Sequence, residues 1–290
     1  MDRSRPLYAA LWMLGAVASF SAMVVAGREI QLEMNTFELM LYRSVIGWLT
    51  VAAILARSRT GFTQVRTAHA GLHVKRNLFH FAGQNLWFYA LATIPLAQLT
   101  ALEFTNPIWV ALLAPVLLSE KLTRPRIAAA ALGFLGVLIV ARPGSAPLGP
   151  GQAAALLAAT GFAMNTIYTK QIMRFDSVLC VLFWMTLAQS CFSLALALPG
   201  GIPLPSPELV PWILVVGLTG LTAHYALTSA LSWAPASVVA PMEFIRLPVL
   251  ATLGMLVYGE PFDPVVFLGA GAIVLGNLVN LRGERARTAA

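Results

Sequence analysis

Six titratable side chains of this 290-residue chain fall inside apolar runs long enough to cross a bilayer: Arg43, His80, Glu103, His224, Glu243 and Arg246. A charged group at bilayer depth is expensive unless it is paired or hydrated, so each marks either a pathway or a structural pair. Glu103 and Asn106 stand three apart and share a helix face, with Trp109 one turn further on. Pro107 removes a backbone donor and frees a carbonyl that can face a cavity. Glu103 reads as a contact for a substrate amine or the carrier of a coupling proton, with a structural ion pair to Arg43 as the alternative. Glu243 and Arg246 repeat the spacing of three. On one continuous helix they satisfy each other. The flanking Pro241 and Pro248 suggest instead a bent or broken helix, and then the two form a gate or a site for a zwitterion.

Neutral polar groups accompany these charges. His224, beside Tyr225, lies deep in its run and reads as a cavity residue. His80, with Gln84 one turn on, reads as an interfacial residue beside Lys75 and Arg76. Asn165 and Tyr168 share a face, and Tyr168 with Trp109 is suited to an apolar cavity wall. Most other aromatic residues suit lipid-facing or interfacial positions. No spacing of His, Cys, Asp or Glu resembles a metal site, and no metal or other cofactor is expected. Cys180 and Cys191 lie eleven residues apart in one run, about 16 Å on a helix, which is beyond disulfide reach.

Ten apolar segments must position these groups: 7–27, 36–56, 76–94, 97–118, 124–141, 150–171, 177–198, 209–231, 236–258 and 264–281. Hydrophobic residues make up 58% of the chain and charged residues 11%, against roughly 25% charged in soluble domains. The expected class is therefore an all-α integral membrane protein with ten transmembrane helices. The net charge of +7 then belongs to membrane orientation, with no nucleic-acid partner. Basic residues gather at Arg3 and Arg5, at Arg57 to Arg76, at Lys121 to Arg126, at Lys170 and Arg174, and at Arg282 to Arg287. The alternate connections hold only Arg28 and Arg142. Both termini are expected to be cytoplasmic.

The segment from Ala101 to Glu120, ALEFTNPIWVALLAPVLLSE, is echoed without a gap by Pro241 to Glu260, PMEFIRLPVLATLGMLVYGE. Glu103 falls on Glu243, Phe104 on Phe244 and Glu120 on Glu260. Pro95 falls on Pro235 in the same register, and Arg28 falls on Lys170 in the register of the first helices. Such self-similarity marks duplication. Five helices per copy is an odd number, so the second copy enters from the opposite face. Residues 1–144 and 145–290 are expected to be inverted repeats with a site at their interface.

The runs PVLLSEKLTRPRIAAAALGFLGVLIVARPG (Pro115 to Gly144) and LVYGEPFDPVVFLGAGAIVLGNLV (Leu256 to Val279) carry a family pattern: helix, acidic residue, short loop, glycine-rich helix. On them the chain resembles the drug/metabolite transporter superfamily, EamA-type ten-helix carriers, over nearly its whole length. The resemblance implies a central cavity lined mainly by helices 1, 3, 4, 6, 8 and 9, with helices 5 and 10 as scaffold. Arg43 matches an arginine common in the second helix of that family, while the corresponding Leu182 to Trp184 has none. No HExxH, GxSxG, CxxC or P-loop motif is present, so an enzyme is not expected. The expected function is a monomeric inner-membrane carrier working by alternating access on a small-molecule substrate. Export of amino acids, hydrophobic or aromatic ones favoured, is the leading expectation. Import of another small metabolite is the alternative, and a receptor or scaffold without transport is a third.

Overall fold

The computed structural model describes residues 6–117, 124–142, 148–233 and 242–289. Its regular structure there is all helical: α1 Pro6–Ile30, α2 Thr36–Arg57, α3 Ala70–Thr93, α4 Leu96–Glu103, α5 Asn106–Leu117, α6 Arg124–Ala141, α7 Pro150–Ile172, α8 Val178–Ala197, α9 Val210–Trp233, α10 Arg246–Tyr258 and α11 Pro264–Ala289, with short 3-10 turns at Gly61–Val65 and Leu198–Gly200. Four described spans are long and apolar enough to cross a membrane by themselves, Leu7–Ile30, Thr36–Arg57, Val178–Gly200 and Val210–Leu227.

Local chemistry sets several boundaries. The sequence Asn35-Thr36-Phe37-Glu38 is a capping box at the start of α2. Phe37 N and Glu38 N donate to Asn35 Oδ1 at 2.9 and 3.1 Å, and Asn35 N donates to Glu38 Oε2 at 2.8 Å. Pro150 opens α7, where its missing N–H costs nothing. Gly259, at φ 64°, closes α10 in the left-handed region.

The segment expected as one helix over 97–118 is two. Phe104 and Thr105 form a turn between α4 and α5, and Phe104 and Thr105 are followed by Asn106-Pro107 at the start of α5. The echo breaks at the matching place. Met242 and Glu243 are helical, Phe244 and Ile245 turn, and α10 begins at Arg246. In both copies a proline, Pro107 or Pro248, sits in the first turn of the second piece, where it is tolerated but cannot continue the helix before it. Two further boundaries differ from expectation. α3 starts at Ala70 rather than 76, and α11 runs to Ala289 rather than 281, which puts Arg282 on a helix. Glu120, Lys121, Pro235 and Pro241 lie outside the described residues.

The largest helix contacts each join a helix before residue 144 to one after it: α1 with α9, α3 with α7, α2 with α8, and α6 with α11. α4 lies on α10. Exchanging the two copies maps this set onto itself, the pattern of a two-fold relation. One buried cluster, including Phe88, Leu91, Leu99, Leu102, Leu250 and Ile273, runs through the shared interface.

α6 and α11 meet through small residues. A methyl group added at Gly136 meets Gly269 O at 2.6 Å and Ile273 Cγ1 at 2.5 Å, a collision with backbone as well as side chain. At Gly271 the same addition meets nothing within 4 Å. Gly136→Ala is therefore expected to destabilise the protein by about 1–3 kcal/mol through overpacking. Gly271→Ala leaves it unchanged or slightly firmer. Thermal unfolding of the two variants in detergent checks the contrast.

Candidate functional site

The two helix breaks face each other across the centre of the fold. The rings of Phe104 and Phe244, one from each turn, meet edge to face at 5.1 Å. Each break exposes backbone groups that a membrane interior cannot satisfy. Asn277 of α11 answers one of them, donating from Nδ2 to Phe104 O at 2.9 Å. The charges next to the breaks pair across them. Arg246 NH2 lies 2.5 Å from Glu103 Oε1, and Trp87 Nε1 donates to Glu103 Oε2 at 2.9 Å. The Arg246 guanidinium also lies over the rings of Phe20 and Phe104, at 5.0 and 5.6 Å.

This differs from both pairings expected from the sequence. Glu103 does not pair with Arg43, and Arg246 does not pair with Glu243. The Glu243–Arg246 pairing assumed a continuous helix, the alternative that the turn at 244–245 removes, and Glu103 takes Arg246 in place of Arg43.

Around the breaks lies a cavity of about 290 Å³. Its walls include Phe20, Trp87, Phe88, Phe104, Phe162 and Phe244. Its polar lining comprises Arg43, His80, Gln84, Glu103, Asn106, Asn165, Thr166, His224, Glu243, Arg246, Asn277 and Asn280. The structure thus gathers Glu103, Asn106, Gln84, Asn165, His224, Arg43, Glu243 and Arg246 about one space.

Arg43 forms a second polar centre. It is 6% exposed and has no carboxylate among its ion-pair partners in the described residues. With its amide oxygen turned to Arg43, Gln84 accepts from both guanidinium NH groups at 2.9 Å, and its nitrogen donates to Gln189 Oε1 at 3.1 Å. Gln189 Nε2 donates to His80 Nδ1 at 2.9 Å. The rings of His80 and His224 lie 6.2 Å apart. Gly220 of α9 leaves room for the guanidinium: a methyl group there approaches Arg43 NH2 to 2.9 Å. Arg43 Nε is buried and donates to no described group.

Three expected residues lie elsewhere. Tyr225 is 62% exposed and meets Trp12 edge-on at 5.7 Å, because it is about 100° around α9 from His224. Tyr168 stacks on Phe79 at 5.8 Å, in the α3–α7 contact rather than the cavity wall. Trp109, a turn beyond Asn106 along α5, is half-buried outside the lining. His80, expected at the interface, is 3% exposed inside the cavity. Because α3 begins at Ala70, His80 is ten residues, about 15 Å, from its end. Asn277 and Asn280 were not anticipated. Two asparagines in one apolar run are the signal that could have pointed to them.

At one end of the molecule a second polar junction joins the copies. Arg28 pairs with Glu260 and donates to Leu91 O and Ile94 O at 3.1 and 2.9 Å, while Leu96 N donates to Glu260 Oε2 at 2.8 Å. The acid from the second copy thereby caps α4 of the first, where the helix dipole favours a negative charge.

The model of the EamA-like transporter family matches the chain twice, over residues 7–142 and 149–282. A protein named riboflavin transporter from Brucella anthropi is 31% identical over 231 residues, 78% of this chain and 81% of its own length. Another of that name, from Vibrio cholerae, is 30% identical and covers 94% of this chain and 92% of itself. An S-adenosylmethionine uptake transporter of Rickettsia conorii is 25% identical over the same shares, 94% and 92%. A solved crystal structure shares the fold, with a TM-score of 0.65 at 21% identity over 95% of this chain and 98% of that one.

The Glu103–Arg246 pair is expected to couple the two breaks energetically. In a double-mutant cycle of Glu103→Gln and Arg246→Gln, each single change strands a buried charge. The double change is expected to be less destabilising than the sum of the singles by about 1–3 kcal/mol. Thermal or denaturant unfolding of the four proteins in detergent measures the difference, and additivity would show no coupling.

Proposed function

Because the chain belongs to the EamA-like transporter family, we propose that it takes up a flat, aromatic, polar metabolite of the flavin kind through the central cavity. The observation that carries this reading is the cavity itself: aromatic walls on several sides with hydrogen-bonding groups between them. A fused aromatic ring system stacks on such walls. The carbonyl edge of a flavin ring suits the donors of Arg43, and its hydroxylated chain suits Asn106, Asn165 and Asn280. The family and its named relatives are transporters, not enzymes. None of the relatives described above is named for amino acids or for export, and the S-adenosylmethionine relatives are named for uptake, so import is the reading proposed here in place of amino-acid export.

A second substrate reading rests on Glu243, whose carboxylate faces the same cavity as Glu103. A sulfonium or ammonium group meets such acids well, and S-adenosylmethionine carries both beside an aromatic base. The architecture proposed with the function is ten membrane-crossing segments in two inverted halves, 1–144 and 145–290. Both termini are cytoplasmic, and the protein works as a monomer in the inner membrane by alternating access. The matched breaks at 104–105 and 244–245 and the two-fold set of helix contacts support that arrangement.

Purified protein in liposomes tests the proposal with labelled riboflavin, S-adenosylmethionine and a panel of amino acids, with and without a pH gradient. Riboflavin is expected to enter the vesicles and to be competed by other flavins. Movement of S-adenosylmethionine alone selects the second reading, and movement of amino acids alone overturns both. Glu103→Gln is expected to lower the transport rate at least about tenfold, the equivalent of ~1.4 kcal/mol. Tyr225→Phe, away from the cavity, leaves the rate unchanged.

A further inference from the structure

Two pairs of side chains at the start of α3 and the start of α8 have no part in the cavity. His69 and His73 stand four apart where α3 begins, and Asp176 and Cys180 stand four apart where α8 begins. Spacing of four puts each pair on one side of its helix end. α3 packs against α8, and the two pairs meet there. The donor atoms of His73, Asp176 and Cys180 all lie within 4.8 Å of one another. His73 Nε2 is 2.8 Å from Asp176 Oδ2. The side chains are sheltered: His73 is 2% exposed and Cys180 1%.

We propose that His73, Asp176 and Cys180 bind a divalent transition-metal ion of the zinc class, with water in the fourth position and His69 beside the site. One nitrogen, one carboxylate oxygen and one sulfur form the donor set that zinc takes, at metal–ligand distances of about 2.0–2.3 Å. In a tetrahedral site those bonds place the donors about 3.5 Å apart. The pocket therefore needs to contract by little more than ~1 Å at its widest separation and to part His73 from Asp176 by less than that.

A purely structural ion pair explains only part of the arrangement. It accounts for His73 Nε2 and Asp176, and it leaves a sheltered thiol beside them and His69 Nδ1 buried without a described hydrogen-bond partner. His69 is held with its ring stacked on Phe175 at 4.0 Å, the residue next to Asp176. Thr67 Oγ1 donates to Asp176 Oδ2 at 2.6 Å and orients the carboxylate, as an outer-shell partner does around a metal. Arg76, the nearest arginine along α3, is turned away to Thr169 Oγ1 and Asn77 Oδ1 and does not compete for the acid. The cluster is distinct from the transport site. His73 is seven residues, about 10 Å, from the cavity residue His80 along α3.

Cobalt(II) reports thiolate ligation directly, through a sulfur-to-metal charge-transfer band in the near ultraviolet. The full chain, purified in detergent on a histidine-free tag and stripped with chelator, is titrated with cobalt(II) and then zinc(II). One equivalent of cobalt per chain is expected to produce the band, and zinc is expected to bleach it. Cys180→Ser is expected to remove the band, Cys191→Ser to keep it, and His73→Asn to weaken binding at least about tenfold. A wild-type protein without the band overturns the proposal, and so does a band that survives Cys180→Ser. Cys180→Ser is near-isosteric, so the test stands even if His73→Asn does not fold.

Discussion

The ion pair between Glu103 and Arg246 is the contact on which the centre of this fold depends. Each partner is badly placed on its own helix. Glu103 ends α4, where the helix dipole is negative, and Arg246 begins α10, where it is positive. Pairing across the breaks reverses both relations, since α4 lies on α10. Glu103 then meets the positive start of α10, and Arg246 meets the negative end of α4. The two breaks therefore stabilise each other.

The same contact explains why the cavity sits where it does. Broken backbone inside a membrane is tolerated only where it is buried in protein or faces a polar space. Here the turn at Phe104 is covered by Asn277, and the turn at Phe244 closes against Phe104. Side chains from α1, α3, α7, α9 and α11 complete the enclosure with aromatic rings and amides. The Arg28–Glu260 junction repeats the theme nearer one end of the molecule: an acid of one copy caps a helix of the other. In both places the polar chemistry that holds the copies together is supplied by residues from each.

Much of the helical plan is legible because apolar runs of membrane length leave few other choices, and the duplication at 101–120 and 241–260 singles out the segment that breaks at the cavity. The pairing was not legible. Reading Glu103 with Asn106, and Glu243 with Arg246, as neighbours requires unbroken helices; Pro241 and Pro248 suggested a break in the second copy without saying which side chains would then meet, and Pro107 suggested only a freed carbonyl in the first. His80 was misplaced for a related reason. The first turns of α3 carry His73, Lys75 and Arg76, so a hydropathy count starts the helix too late and leaves the histidine near the surface. The His69, His73, Asp176 and Cys180 cluster was hidden by distance in sequence, over one hundred residues between its two halves, although each half carried its own spacing of four.

Departures from the repeat set the charge pattern of the cavity. An exact duplication would place arginine at both or neither of the positions now held by Asn106 and Arg246, and would match Arg43 with a second arginine near Leu182 to Trp184. Instead each copy contributes one glutamate at the equivalent position, Glu103 and Glu243, and one arginine at a position where the other copy has none, Arg43 and Arg246. The charges balance in number, but not pair by pair. Glu103 and Arg246 neutralise each other, while Arg43 is held by the neutral amide of Gln84 and Glu243 has Arg246 already engaged elsewhere. A symmetric cavity would present the same face to a substrate from either half. This one offers a positive centre beside α2, α3 and α9 and an acidic group beside the second break. On the proposed reading, that difference is what orients a polar aromatic molecule within a fold whose two halves are otherwise interchangeable.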